Sequence, residues 1–261
     1  MSFPSLSKSA AYNRALIVSV ENYSACAQLG KRSGVRRDTK RLHATLSRRG
    51  FKVQILNDPD AHEIIEAFRA ESEQSVHSCF VGVISSHGED GIIFGADGRP
   101  VKLAHVYSQF GGPVMADKYK LFLVQACRGS KLDDGVETDT VSSEDGGVLE
   151  CQSIPNQTVV AYATAPGYSA FMSPTGSVFL QTFCNLVEEC EGWEITRFLT
   201  RLNRRIAFEF EARGKVLKGK KEMPCFISRL TDDWYPFSNT LKVSAMEMLQ
   251  DTHTTRKSSI S

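Results

Sequence analysis

Short unbroken apolar runs alternate along this chain with longer stretches in which apolar residues recur at helical spacing. Residues 15–20 read as a first strand, because a continuous apolar run is how a strand covered on both faces of a sheet appears. Residues 36–47 carry Leu42 and Leu46 on a basic, helix-spaced background and predict a surface helix. In 51–56, Phe51, Val53 and Ile55 alternate with polar residues, the period of a second strand. Residues 61–73 place Ile64, Ile65 and Phe68 on one face of a helix. Strands at 79–85 and 121–125 are separated by a helix at 103–110. Further on come a strand at 158–163, helices at 177–190 and 194–211, and a last strand at 225–230, expected at a sheet edge. This alternation predicts an α/β domain with a mostly parallel central sheet of about six strands and helices on both faces.

The rhythm breaks between residues 129 and 155, a stretch rich in acidic residues, serine and glycine and poor in large apolar side chains. A loop of that length within a compact domain is functional or disordered. After Phe237 the chain becomes a Ser/Thr-rich tail.

Composition narrows the function classes. With 261 residues and 41% hydrophobic content the chain can bury a substantial core. A formal net charge of +1 offers no single-sign field for nucleic acid or anionic lipid. Seven cysteines, at 26, 79, 127, 151, 184, 190 and 225, are odd in number and sit mostly in apolar runs. That suggests reduced thiols in a cytosolic protein. No apolar run is long enough to span a membrane, and Met1-Ser2-Phe3-Pro4-Ser5 lacks a signal-peptide core. The expectation is a soluble cytoplasmic protein with no nucleic-acid or membrane partner, no metal and no cofactor.

Chemistry concentrates at two strand ends. The run 120–124 stops at Gln125-Ala126-Cys127-Arg128-Gly129, and the strand at 79–84 leads into Ser85-Ser86-His87-Gly88. Neighbouring strands of one sheet would bring that thiol and imidazole together. Read singly, a cysteine like Cys127 is more often an inert core thiol and a histidine like His87 more often structural. Arg32, among Lys31, Arg36 and Arg37, reads as a solvated charge, and the Lys215–Lys221 cluster as a solvated loop.

Taken in order, these motifs resemble the caspase family. The resemblance runs from about Asn13 to Phe237. It is carried by Arg32-Ser33-Gly34, Ser86-His87-Gly88-Glu89, Gln125-Ala126-Cys127-Arg128-Gly129, Val136-Glu137-Thr138-Asp139, Ala163-Thr164-Ala165-Pro166-Gly167-Tyr168 and Pro224-Cys225-Phe226-Ile227-Ser228. With only a short segment before the first strand, executioner members are the better match. The resemblance implies a three-layer sandwich around a six-stranded sheet. It makes Cys127 the nucleophile, His87 the proton shuttle, and the N–H groups of Gly88 and Cys127 the oxyanion donors. Arg32 and Gln125 would bind the carboxylate of an aspartate preceding the cleaved bond. It divides the chain into a segment 1–12, a large-subunit region 13–139, a linker 140–155, a small-subunit region 156–237 and a tail 238–261. Cleavage after Asp139, with Asp145 a second candidate, would convert a zymogen into the active enzyme.

One departure stands out. The family places an arginine after an aromatic residue beyond the Gly-Tyr motif, as a second clamp on the substrate aspartate. Here the stretch reads Phe171-Met172-Ser173, and no arginine lies between Arg128 and Arg197. Ser169 replaces a usual aromatic, and Val178 stands where tryptophan is common. Two functions follow as expectations. The first is a cysteine endopeptidase cleaving after aspartate in apoptosis or related signalling, a homodimer activated by an upstream initiator caspase and acting on protein substrates. The second is a weak or inactive regulator that binds active relatives.

Overall fold

The apolar runs form the strands they predict. The computed structural model describes residues 12–133, 151–213 and 217–238. In chain order the elements begin β1 (Asn13–Ser19), α1 (Val35–Arg48), β2 (Phe51–Asn57), α2 (Ala61–Ser72) and β3 (Cys79–Ser85). Three short strands follow, β4 (Gly88–Glu89), β5 (Ile92–Phe94) and β6 (Pro100–Lys102). Next come α3 (Leu103–Ser108), β7 (Tyr119–Gln125) and β8 (Thr158–Tyr162). The chain then forms β9 (Met172–Ser173), β10 (Gly176–Ser177), α4 (Val178–Glu189), α5 (Ile195–Glu209) and β11 (Cys225–Ser228).

The central sheet has six strands in the order β11-β8-β7-β3-β1-β2. All its pairings are parallel except that of β11 with β8, so the expected edge position of the last strand holds. Alternate side chains of each central strand feed two cores. Ile17, Val81, Leu121 and Val159 meet α1, α4 and α5 on one face, through Leu42, Leu46, Phe183, Phe198 and Leu202. Leu16, Phe80, Phe122 and Val160 meet α2 and α3 on the other, through Ile64, Phe68, Val106 and Tyr107. This is the three-layer arrangement, and it explains why β3, β7 and β8 read as uninterrupted apolar runs: both their faces are covered. Phe122 packs edge-on against Phe110, with centroids 5.1 Å apart, and also against Phe80 and Phe68. Phe122→Ala should lower stability by ~3–5 kcal/mol through lost contact and the cavity left behind, measurable as a shifted denaturant midpoint.

Local signals set the helix starts. Asp60 caps α2 in a reciprocal box with Glu63. Ser177 caps α4 through the Leu180 N–H, and Glu194 caps α5 through the N–H groups of Thr196 and Arg197. Strand and helix bounds fall within two residues of the sequence reading. The β4–β6 sheet and the β9–β10 hairpin are additions to it. Strands of two or three residues show no period from which to read them. Among the described residues no helix is long and apolar enough to cross a membrane.

Candidate active site

Strands β3 and β7 are parallel neighbours, with Ser85 opposite Gln125. His87 lies two residues past Ser85, and Cys127 two residues past Gln125. Equal register therefore brings both to the carboxyl end of the sheet, where α/β folds place their ligands. The two side chains line one cavity of about 280 Å³, together with Arg32, Gln125, Ala170 and Met172.

The imidazole of His87 is oriented from two sides. Its Nε2 lies 2.8 Å from the carbonyl of Gly30. A carbonyl only accepts, so the neutral ring carries its hydrogen on Nε2 and leaves Nδ1 as an acceptor. The His87 main-chain N–H donates to Tyr23 Oη at 2.8 Å, and the two rings are tilted with centroids 5.0 Å apart. Tyr23 in turn lies 2.8 Å from Ser86 Oγ. Burial holds the imidazolium below the ordinary histidine range; the Gly30 carbonyl opposes this and the Arg32 cation reinforces it. The ring is thus neutral near pH 7, as a proton acceptor requires.

The thiol of Cys127 is partly exposed and donates weakly to the Ala170 carbonyl at 3.8 Å. The residue after it is held firmly. The Arg128 N–H donates to the Tyr168 carbonyl at 2.9 Å, and its own carbonyl accepts from Gly167 at 2.7 Å. Its guanidinium pairs with Asp90 at 2.8 Å and stacks 4.1 Å above the Tyr162 ring. Gly88 packs directly against this corner. A Cβ there would lie 2.6 Å from the Ile92 carbonyl oxygen and 3.2 Å from that of Cys127.

Arg32 is 7% exposed, which excludes a solvated surface charge. It donates to the Val20 carbonyl at 2.9 Å, Ser85 Oγ at 3.1 Å and the Gln125 carbonyl at 3.3 Å. All these partners are neutral, and among the described residues it forms no ion pair. A buried guanidinium facing a cavity without a carboxylate partner is suited to receive one from a ligand. Beside it, Gln125 donates to the Phe171 carbonyl at 3.5 Å, and its Oε1 is buried without a partner.

Met172 sits in β9 opposite Ser177 of β10 and forms part of the wall beside Arg32. It also borders a second groove of about 700 Å³, which Phe171, Phe210 and Leu217 line. Phe171 turns toward that groove, its ring 5.4 Å from Phe210. The hairpin is anchored at Ser177, opposite Met172, by buried Asp38, which accepts from the Ser177 N–H at 2.9 Å and from Gln181 Nε2 at 2.6 Å. Gly34, at φ +105°, lets the Arg32 turn approach it: a Cβ there would lie 2.0 Å from the Ser173 carbonyl oxygen.

The structure thus gathers Cys127, His87, Gly88, Arg32, Gln125 and Met172, and sets Phe171 in the adjoining groove. Tyr23, Gly30, Ala170 and Glu222 join them without any local sequence signal. Asp139, with Val136-Glu137-Thr138, Asp145 and Lys215, lies outside the described residues.

Comparison with known proteins finds relatives over most of the chain. The caspase-domain family model matches residues 12–235. Caspase-3 of Mesocricetus auratus is 37% identical over 231 residues, spanning 84% of this chain and 82% of its own. Caspase-3 of Bos taurus is 36% identical over the same extent. The crystal structure of caspase-1 from Spodoptera frugiperda superposes with a TM-score of 0.76 at 26% identity, covering 88% of this chain and 91% of that one.

Proposed function

The chain belongs to the caspase family of cysteine proteases, and on that premise we propose that it is an endopeptidase cleaving peptide bonds after aspartate. The observation that carries this reading is one cavity lined by a thiol, a neutral imidazole and a buried guanidinium with no anion of its own. In the proposed reaction, His87 Nδ1 takes the Cys127 proton and the thiolate attacks the scissile carbonyl. The N–H groups of Gly88 and Cys127 stabilise the oxyanion. His87 then protonates the leaving amine, and water hydrolyses the thioester to free Cys127. Arg32 and Gln125 hold the carboxylate of the aspartate.

The proposal extends to activation and assembly. The intact chain is a zymogen cut after Asp139 by an initiator caspase, and it acts in the cytoplasm in apoptosis or related signalling. Cut chains pair through β11, the edge strand carrying Phe226 and Ile227; an open edge of that kind otherwise invites uncontrolled association. Mass spectrometry after incubation with an active initiator caspase is expected to show a break following Asp139, and sedimentation of the product a dimer. Cutting only elsewhere would refute the processing site, and a monomer at high micromolar concentration the assembly.

One observation favours a second reading. Met172 stands beside Arg32 where a second guanidinium would complete the carboxylate clamp. A chain with catalytic side chains and a half-built pocket can act by pairing with an active relative. Alkylation of Cys127 with and without an aspartyl substrate analogue separates the two. Protection by the analogue supports the protease; a reactive thiol that the analogue leaves unprotected supports the regulator.

A further inference from the structure

Glu222 lies in the segment leading into β11 and is 1% exposed. Its Oε2 accepts from the Phe171 main-chain N–H at 2.5 Å, while its Oε1 is buried without a hydrogen-bond partner. The other side of the same residue is tied to the site, since the Phe171 carbonyl accepts from Gln125 Nε2. On either flank, the Ala170 carbonyl receives the Cys127 thiol and Met172 forms the cavity wall. The stretch 170–172 is thus held by the reactive cysteine, by an aspartate-pocket residue and by one buried carboxyl.

Resting on the protease reading above, we propose that Glu222 is a positioning residue for peptide cleavage: its carboxyl holds the Phe171 peptide, and through it the Met172 wall, in the geometry that binds substrate. The neutral form does this. Burial pushes Glu222 up to about 8, with the Phe171 N–H opposing, and no charged group contributes to the shift. Charged side chains of the neighbouring segments are engaged elsewhere or line the second groove. Lys221 Nζ donates to the Phe210 carbonyl at 3.0 Å and lies 3.8 Å from Glu211, while Glu209 and Arg213 line the second groove. On the cavity side the titratable groups are Lys31, Arg32, His87 and Cys127, and none of them contributes to the Glu222 shift. A carboxylate formed at Glu222 has no cation to compensate it and one N–H to solvate it, so ionisation drives the side chain toward water and releases Phe171. The linkage has the matching sign. A carboxyl raised from 4.5 to about 8 contributes stability that is fully present below 4.5 and lost as pH rises toward 8.

The experiment compares linker-cut wild type with linker-cut Glu222→Gln, which keeps an acceptor oxygen and cannot ionise. It reads kcat/KM on an aspartyl peptide from pH 6 to 9.5 and the Phe171 amide signal by NMR over the same range. Wild type should fall relative to the variant above pH 8, by about tenfold one pH unit higher, as a single inactivating ionisation requires. The Phe171 amide should titrate with a midpoint near 8 in wild type and stay flat in the variant. Superimposable pH profiles, or a Phe171 amide that does not titrate in wild type, overturn the proposal. If wild type cleaves no aspartyl peptide, the proposed function fails on its own, and the amide titration still decides whether Glu222 holds Phe171.

Discussion

Cys127→Ala is expected to abolish peptide cleavage while the protein folds and melts as before. The loss should be on the order of a million-fold in kcat, the scale on which serine proteases respond to removal of their nucleophile. Stability should hold because of what the thiol touches. Its Sγ makes one weak contact, to the Ala170 carbonyl at 3.8 Å, and the side chain is partly exposed. Removing one such atom leaves no buried group unsatisfied and no sizeable cavity, so the change should lie within ~0.5 kcal/mol. The chain around it is held by groups the substitution leaves alone, namely the Arg128–Asp90 pair and the main-chain bonds to Gly167 and Tyr168. Parallel measurement of turnover and thermal midpoint checks both halves. Residual activity equal to wild type would remove Cys127 from the mechanism.

Met172→Arg is expected to raise kcat/KM on aspartyl peptides by about tenfold or more after the linker is cut. On the proposed reading one buried guanidinium, Arg32, receives the incoming carboxylate, and it already donates to the Val20 and Gln125 carbonyls and to Ser85. A thioether supplies no donor, whereas a guanidinium can bond a carboxylate at two points. A hydrogen bond to a charged group contributes ~1.5–3 kcal/mol, which is the basis of the expected factor. Met172 stands on a fixed scaffold, paired with Ser177 in a hairpin that Asp38 anchors, so a longer polar side chain there starts from the cavity wall. The same apolar wall should admit uncharged residues before the cleaved bond, relaxing selectivity. An unchanged kcat/KM, with wild type already as fast as a typical executioner caspase, would show that another group supplies the second clamp.

The central sheet was legible because burial on both faces leaves an unmistakable trace. In β3, β7 and β8 nearly every residue is buried, and the apolar runs mark them directly. Strand β2, at the open edge, showed instead the alternation of a half-covered strand. The two hairpin sheets escaped because β4, β9 and β10 hold two residues each, too few to express a period. Cys127, His87 and Arg32 were singled out through motifs, and the fold lines one cavity with all three. Gly30 was not: it contributes a carbonyl, which every residue has, and only the fold brings that carbonyl to His87. Tyr23 and Glu222 reach His87 and Phe171 by tertiary contact across 64 and 51 residues of sequence. A glutamate ahead of an edge strand also looks like a solvated charge until its burial is seen.

The most direct test of the account is to incubate linker-cut protein and its Cys127→Ala variant, side by side, with a proteome-derived peptide library and to identify the new termini by mass spectrometry. The account predicts termini that follow aspartate, enriched in the wild-type reaction and missing from the variant. Identical termini in both reactions, or cleavage by wild type with no preference for aspartate, would contradict it.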